Sequence, residues 1–311
     1  MGMKIVITGA TGLIGKELCK ELISKGDEIT IFTGNPFKAK LLIKGAKEYI
    51  CWNYHKPEEW EDYINEKDAV IHLAGASIAG KRWTESYKRT ILESREISTK
   101  NLVKAIETAG QKPGLFISSS AVGFYGNAGN EILTEESKNG SDFLSQVCRV
   151  WEASAEKVEV QGIRRVSIRT GIALSNKGGA YKRILLPFKL FIGGHIGNGK
   201  QWFPWIHIED LIRIYIYALD NRSISSVVNA VSPYPVLANE FAKCIGKTIH
   251  RPSWFPVPIF ALKLFIGKAA ESVVASQRVV PKKLLDAGFK FKFEKIEEAL
   301  QDLLTTELKV E

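Results

Sequence analysis

Three glycines at intervals of three, Gly9, Gly12 and Gly15, follow directly on the apolar run Lys4-Ile5-Val6-Ile7-Thr8. A strand, a glycine-spaced turn and a helix in that order make a phosphate cradle. The first glycine permits the sharp turn, the second lets backbone approach a pyrophosphate, and the third lets helix and strand pack closely. The chemistry on offer is dinucleotide binding by Gly9, Thr11, Gly12, Leu13, Ile14 and Gly15. The end of the next apolar run selects the dinucleotide. A carboxylate there would bind the ribose 2′-hydroxyl of NAD. Thr33-Gly34-Asn35 stands there instead, and the next carboxylate is Glu48. A 2′-phosphate is therefore not repelled, and Lys16, Lys38 or Lys40 can supply positive charge. NADP(H) is the favoured cofactor and NAD(H) the second choice. The small residues of His72-Leu73-Ala74-Gly75 let backbone pass close to a ribose at another strand end.

Cys148 and Glu152 are four apart and share one helix face. Glu152 is a general acid or base if desolvation raises its pKa, and otherwise a brace for the cofactor site. Cys148 is a nucleophile only as a thiolate beside a positive charge, and otherwise a buried inert thiol. His207, just ahead of Glu209-Asp210, either starts a helix or faces a cleft. Lys200, Gln201, Trp202 and Arg278 suit an anionic, ring-containing substrate: arginine binds phosphate bidentately and tryptophan offers a stacking face. The same four residues would also serve to pack one lobe on another.

Alternating elements must hold these groups. Apolar runs at 4–8, 28–32, 48–51, 69–73, 115–119, 166–169 and 226–231 read as strands. Helical spacing fills 13–24, 84–109 and 207–219, and Asn35-Pro36 is a helix start. Strand alternating with helix implies an α/β fold, a Rossmann-like doubly wound parallel sheet with right-handed crossovers. After Arg169 the glycine- and aromatic-rich pattern predicts a smaller C-terminal substrate lobe. The expected division is 1–171 with 206–231 for the dinucleotide-binding domain, and 172–205 with 232–311 for the lobe. Ligands would bind between them, outside the carboxyl ends of the strands.

With 311 residues and 45% hydrophobic content, the chain can build a sizeable core without staples. Its net charge is +9, but lysine and arginine are spread along the chain without a long block of one sign. This basic surface carries neither an RNA-binding aromatic motif nor a basic helix, so no nucleic-acid partner is expected. Cys19, Cys51, Cys148 and Cys244 form no metal-spaced cluster. Free thiols suit a reducing cytoplasm, and a strand at the N-terminus leaves no signal peptide. The apolar stretches 184–197 and 257–267 are interrupted by Lys189 and Lys263 and fall short of a bilayer span of roughly 20 residues. The expected partners are a dinucleotide and a small-molecule substrate, with no membrane, for a monomer or homodimer.

Together Thr8-Gly9-Ala10-Thr11-Gly12-Leu13-Ile14-Gly15, His72-Leu73-Ala74-Gly75 and Ser118-Ser119-Ser120 resemble the extended short-chain dehydrogenase/reductases, the NAD-dependent epimerase/dehydratases. Further segments resemble an atypical branch, the epimerase family proteins, which end in a domain of unknown function. These are Arg82-Trp83-Thr84, Ser94-Arg95, residues 147–152, residues 197–207 and residues 276–281. The resemblance spans nearly the whole chain. It implies an NADP(H)-binding oxidoreductase or epimerase acting on a sugar-nucleotide-like or carbonyl substrate. It makes Ser120 the active-site serine, with Ser118 beside the cofactor. Two departures stand out. The typical Tyr-x-x-x-Lys pair is replaced by Cys148 and Glu152, and Gly34 stands where this branch often has arginine. Tyr125, in Gly123-Phe124-Tyr125-Gly126, can replace the missing phenol or pack as an aromatic. The missing pair also motivates an alternative, a non-catalytic NADP(H)-sensing regulator.

Overall fold

A computed structural model of the chain describes residues 2–258 and 274–308. The first half contains β1 (Lys4–Thr8), α1 (Leu13–Ser24), β2 (Glu28–Thr33), α2 (Pro36–Leu42), β3 (Glu48–Cys51), β4 (Ala69–His72), α3 (Glu85–Thr108) and β5 (Leu115–Ala121). There follow β6 (Ile132–Leu133), α4 (Phe143–Glu156), β7 (Arg164–Thr170), β8 (Ile172–Leu174), α5 (Gly179–Lys189), β9 (Trp202–Phe203) and β10 (Trp205–His207). The remainder is α6 (Ile208–Asp220), β11 (Ser226–Ala230), β12 (Val236–Leu237), α7 (Ala238–Thr248), β13 (Arg278–Val279), α8 (Lys282–Asp286) and α9 (Ile296–Leu308).

Seven strands form one parallel sheet in the order β3-β2-β1-β4-β5-β7-β11. The strand order reverses between β1 and β4, which opens a crevice at their carboxyl ends. Side chains alternate faces along each strand. Ile5 and Ile7 pack with Leu18 and Leu22 of α1 and Ile214 of α6 on one face. Val6 packs with Leu102 and Ile106 of α3 and Ala155 of α4 on the other. Burial on both faces explains why the strands read as continuous apolar runs. In α3, Thr84 accepts a hydrogen bond from the Tyr87 amide and so sets the helix start. Such a cap is worth about 1 kcal/mol. Ile91, Leu102 and Ile106 are fully buried, each worth about 1.5–3 kcal/mol, so packing rather than the cap seats the helix.

Strand β5 runs past its expected end. Its last residues pair with Ile168, Arg169 and Thr170 of β7, so Ser118, Ser119 and Ser120 are all strand residues.

A second cluster gathers Leu174, Tyr181, Leu185, Phe188, Trp205, Phe241, Ile245, Phe293 and Leu300. It joins segments on either side of α6 and β11. Leu284, Phe289 and Phe291 pack instead into the sheet-side core with Ile214 and Leu219. Asp210, fully buried at the start of α6, accepts the backbone N–H groups of Lys292 and Phe293 at 2.8 Å each and so ties this returning segment down. Residues 259–273 and 309–311 of the expected lobe, including most of the apolar stretch 257–267, lie outside the described residues.

Candidate active site

The glycine turn sits where β1 hands over to α1. Gly9 has φ +69°, and a Cβ on it would stand 2.7 Å from the backbone of Leu73 and Ala74. A Cβ on Gly15 would lie 2.5 Å from the Gly9 carbonyl oxygen and 2.6 Å from Ala10 Cα. Both positions are thus closed to any side chain, and α1 lies directly on the strand end. No side chain caps α1, and its first turn carries no carboxylate. The amides of Leu13, Ile14 and Gly15 are the ones a helix leaves without an internal partner. A bare loop, an uncapped helix start and the absence of local negative charge fit a dinucleotide pyrophosphate.

At the end of β2, Asn35 caps α2 by accepting the Lys38 N–H at 2.9 Å. The Asn35 amide nitrogen in turn donates to Thr33 Oγ1. Gly34 is exposed, and a Cβ there meets nothing within 4 Å. Lys38 is also exposed.

Under the crevice floor lies a buried polar chain. Thr8 Oγ1 meets His72 Nδ1 at 2.7 Å, Ser98 Oγ meets His72 Nε2 at 3.1 Å, and the Ala74 amide donates to Thr8 Oγ1 at 3.3 Å. The His72 ring is wholly buried; that burial, with the Arg95 charge behind it, pushes its pKa down to about 3. His72 is therefore a neutral brace that holds the β1 and β4 ends together; its wholly buried side chain is closed to the cofactor, so only its backbone could make the contact expected of it. Ser118 is corrected likewise: it is fully buried, with Oγ 3.2 Å from Ser167 Oγ. One strand register explains both, since His72 and Ser118 are paired neighbours in the sheet.

The second network centres on Glu152. Ser120 Oγ donates to Glu152 Oε1 at 2.5 Å. Arg169 donates from Nε to Oε1 at 2.8 Å and from Nη2 to Oε2 at 2.7 Å, a bidentate pair. Arg169 Nη1 reaches the Tyr125 hydroxyl at 3.0 Å, and that hydroxyl donates to Asn229 Oδ1 at 2.6 Å. Phe124 covers the guanidinium, with the ring centroid 3.4 Å from Cζ. All members are nearly inaccessible: Ser120 is 4% exposed, Glu152 8%, Arg169 3% and Tyr125 3%.

Two open alternatives narrow here. Burial pushes the Tyr125 phenol up to about 12, and its hydroxyl is already spent on Asn229 and Arg169, so it does not stand in for the missing tyrosine. Cys148 is pushed up to about 11 by burial and by the nearby Glu152 charge, so it is an inert thiol rather than a nucleophile. Glu152 takes the bracing role, fixing the rotor of Ser120. Arg169 and Asn229 escaped the sequence reading. Their signal was present: a charged and an amide side chain, each inside a strand read as buried.

Lys200 and Gln201 line a cavity of about 690 Å³ together with Gly129, Asn130, Asn198 and Ser276. Trp202 Nε1 donates to Asn130 Oδ1 at 3.1 Å, and the Arg278 guanidinium lies 4.5 Å from the Trp202 ring. Gln201 spends its amide on the Ile196 carbonyl. His207 belongs to none of this. It is 3% exposed, its Nδ1 accepts the Glu209 N–H at the start of α6, and its ring packs 3.9 Å from Phe293. Its Nε2 lies 3.4 Å from Asp302. His207 is thus a buried helix cap, where its own backbone ends β10 and α6 begins, and its ring is closed to a substrate.

Among the described residues no group of His, Cys, Asp and Glu could hold a metal ion, and no helix is long and apolar enough to cross a membrane.

Residues 5–152 match the NAD dependent epimerase/dehydratase family, and residues 257–303 match a domain of unknown function (DUF1731). Epimerase family protein YfhF of Bacillus subtilis is 38% identical over 305 residues, 97% of this chain and 98% of that protein. The human epimerase family protein SDR39U1 (isoform 2), crystallised with NADPH, superposes with a TM-score of 0.87 at 31% identity, over 97% of this chain and 99% of that one. A nucleoside-diphosphate sugar epimerase of Corynebacterium glutamicum superposes with a TM-score of 0.78 at 34% identity, over 97% of this chain and 58% of that one.

Proposed function

Because the chain belongs to the NAD dependent epimerase/dehydratase family, among its epimerase family proteins, we propose that it is an NADP(H)-dependent oxidoreductase or epimerase. Its substrate would be a small carbonyl or sugar-nucleotide-like molecule. The observation that carries this reading is the closed glycine turn against an uncapped helix start, beside a β2 end without a carboxylate. In this reading residues 9–15 hold the pyrophosphate, and residues 33–35 with Lys38 border the 2′-phosphate. Residues 73–75 flank the ribose through their backbone. The human protein's NADPH supports the choice of NADP(H) over NAD(H). When bound, the cofactor supplies hydride transfer to or from one carbon of the substrate.

The side chains set what else can happen. The single proton of Ser120 points at Glu152, so Ser120 Oγ offers lone pairs rather than a donor. It is thereby suited to accept a hydrogen bond from a substrate hydroxyl. Arg169 holds both Glu152 oxygens and keeps that orientation. Lys200, Trp202 and Arg278 would meet the substrate's distal part. We assign them to a substrate lobe drawn from 172–205 and 232–311, from which Leu284, Phe289 and Phe291 return to the core of a domain of 1–171 with 206–231.

Two measurements test the reading. Titrations should give NADPH an affinity at least about tenfold above that of NADH, one charge-assisted contact's worth. A panel of carbonyls and nucleoside-diphosphate sugars, followed by nicotinamide absorbance and by epimer formation, should give turnover. Ser120→Ala should lower that turnover about tenfold, the worth of one accepted hydrogen bond, and leave NADPH affinity unchanged. The buried phenol and inert thiol favour a second reading, an NADP(H) sensor without catalysis. NADPH binding with no turnover on the whole panel would select it.

A further inference from the structure

Helix α5 is apolar on two faces. Tyr181, Leu185 and Phe188 are buried in the second core, whereas Leu186 and Leu190, four apart on the outer face, are each more than half exposed. The helix ends at Lys189, and Phe191 takes φ +63° in the turn that follows. Glycine is the usual residue in that left-handed conformation at a helix end, and a bulky aromatic there is an outlier. Two hydrogen bonds hold the turn: the Phe191 N–H donates to the Phe188 carbonyl and the Ile192 N–H to the Pro187 carbonyl, at 3.0 Å each. The turn leaves Phe191 and Ile192 more than half exposed as well.

A second segment lies alongside. The Phe255 N–H donates to the Gly193 carbonyl at 3.2 Å, and the Val257 N–H to the His195 carbonyl at 2.8 Å. This pairing brings up Trp254, 78% exposed, and Phe255, 53% exposed. Single exposed apolar residues are ordinary, but a joined set marks a contact surface.

Charge chooses what that surface meets. The Arg251 guanidinium lies 4.4 Å from the Phe191 ring, and Lys182, Arg183, Lys189 and Lys247 are exposed on the same two segments. Residues 177–200 and 241–258 carry lysine and arginine but no aspartate or glutamate. A second copy docked through this face would set cation against cation. Projecting apolar side chains with a tryptophan among them, flanked by lysine and arginine, suit a bilayer with anionic headgroups. The apolar groups enter the boundary between headgroups and acyl chains, and the cations meet lipid phosphates.

We propose that the end of α5 and the segment 250–257 form a face that lies on an anionic membrane surface. The sequence predicts no membrane partner because neither apolar stretch is long enough to span a bilayer, but lying in the interface needs no span. The proposal is independent of the cofactor reading.

The test is co-sedimentation of the full chain with phosphatidylcholine vesicles, prepared with and without phosphatidylserine. The wild type should pellet with the anionic vesicles and stay in solution with the neutral ones, and added salt should weaken the binding. Phe191→Gly, which suits the backbone at that turn, combined with Trp254→Ser should lower partitioning about tenfold or more. Lys182→Gln and Arg251→Gln should each lower it about fivefold. Melting temperatures close to that of the wild type show that the variants fold. A wild type that stays in solution with anionic vesicles at low salt overturns the proposal, as does equal pelleting by the wild type and the Phe191→Gly, Trp254→Ser variant. Should that variant fail to fold, undiminished binding by both charge variants overturns it. A lipid-free dimer that the double variant abolishes, with no vesicle binding, gives the face to a second copy. Retention on immobilised polyglutamate, with no vesicle binding, gives it to an acidic protein. Either result overturns the membrane assignment.

Discussion

At the scale of single residues, Glu152, which the family resemblance sets where a lysine is usual, is bonded to Ser120 and to Arg169. Removing one partner of a buried ion pair leaves a stranded charge and costs about 3–5 kcal/mol. Arg169→Met should lose that much in urea unfolding, and the double variant with Glu152→Met should recover most of it. His72 makes a pH prediction. Its pKa is about 3 when folded, against an ordinary 6.5. The unfolded chain therefore takes up the proton first as pH falls. The contribution of His72 is intact above 6.5 and drains away between 6.5 and about 3, with a slope of about 1.4 kcal/mol per pH unit. Unfolding free energies across that window should fall less steeply in His72→Asn than in the wild type. Equal slopes would show that His72 does not titrate on unfolding. Sequence alone left Glu152 between an acid–base and a bracing role, because its partner Arg169 sits on a different element and no local spacing links the two.

At the scale of elements, the handover from β1 to α1 was the most legible part of the chain. Every constraint there is local: an apolar strand, glycines where backbone approaches backbone, and an amphipathic helix. Gly15→Ala should force α1 off β1, since its Cβ would meet Gly9 and Ala10 at 2.5 to 2.7 Å. Overpacking of this kind costs about 1–3 kcal/mol, and calorimetry should show it together with lost NADPH affinity. Gly34 is the opposite case, with open space where its Cβ would stand. Gly34→Arg should therefore fold normally and tighten NADPH about tenfold over NADH, read by parallel titrations. Equal gains for both cofactors would show that the β2 end does not contact the 2′-phosphate. The bounds of α3 were legible too, because Thr84 caps one end and Ile91, Leu102 and Ile106 mark one face. The bounds of β5 were not. Serines say little about strand propensity, and pairing with β7 carries the strand through them.

At the scale of the whole molecule, the sheet was readable and the second core was not. The second core is assembled from residues more than a hundred positions apart, so no window of sequence contains its pattern. Sequence distance also hid the return of Leu284, Phe289 and Phe291 to the sheet. Asp210 secures that return by accepting two backbone amides and the Arg213 guanidinium. Hydrogen bonds to a charged group contribute about 1.5–3 kcal/mol each. Asp210→Ala should accordingly lower the melting temperature and open the chain to trypsin beside Lys292 before the sheet unfolds. Cleavage there no faster than in the wild type would show that the clamp is not what holds the segment.

The ion pair beneath Ser120 also bears on how such a chain can change over generations. Glu152→Lys alone sets a second cation against Arg169, and a change at Arg169 alone strands Glu152. Either first step toward the usual catalytic pair crosses a valley of unstable intermediates. The pair thus couples the two positions: a lysine at 152 becomes tolerable only when Arg169 changes with it.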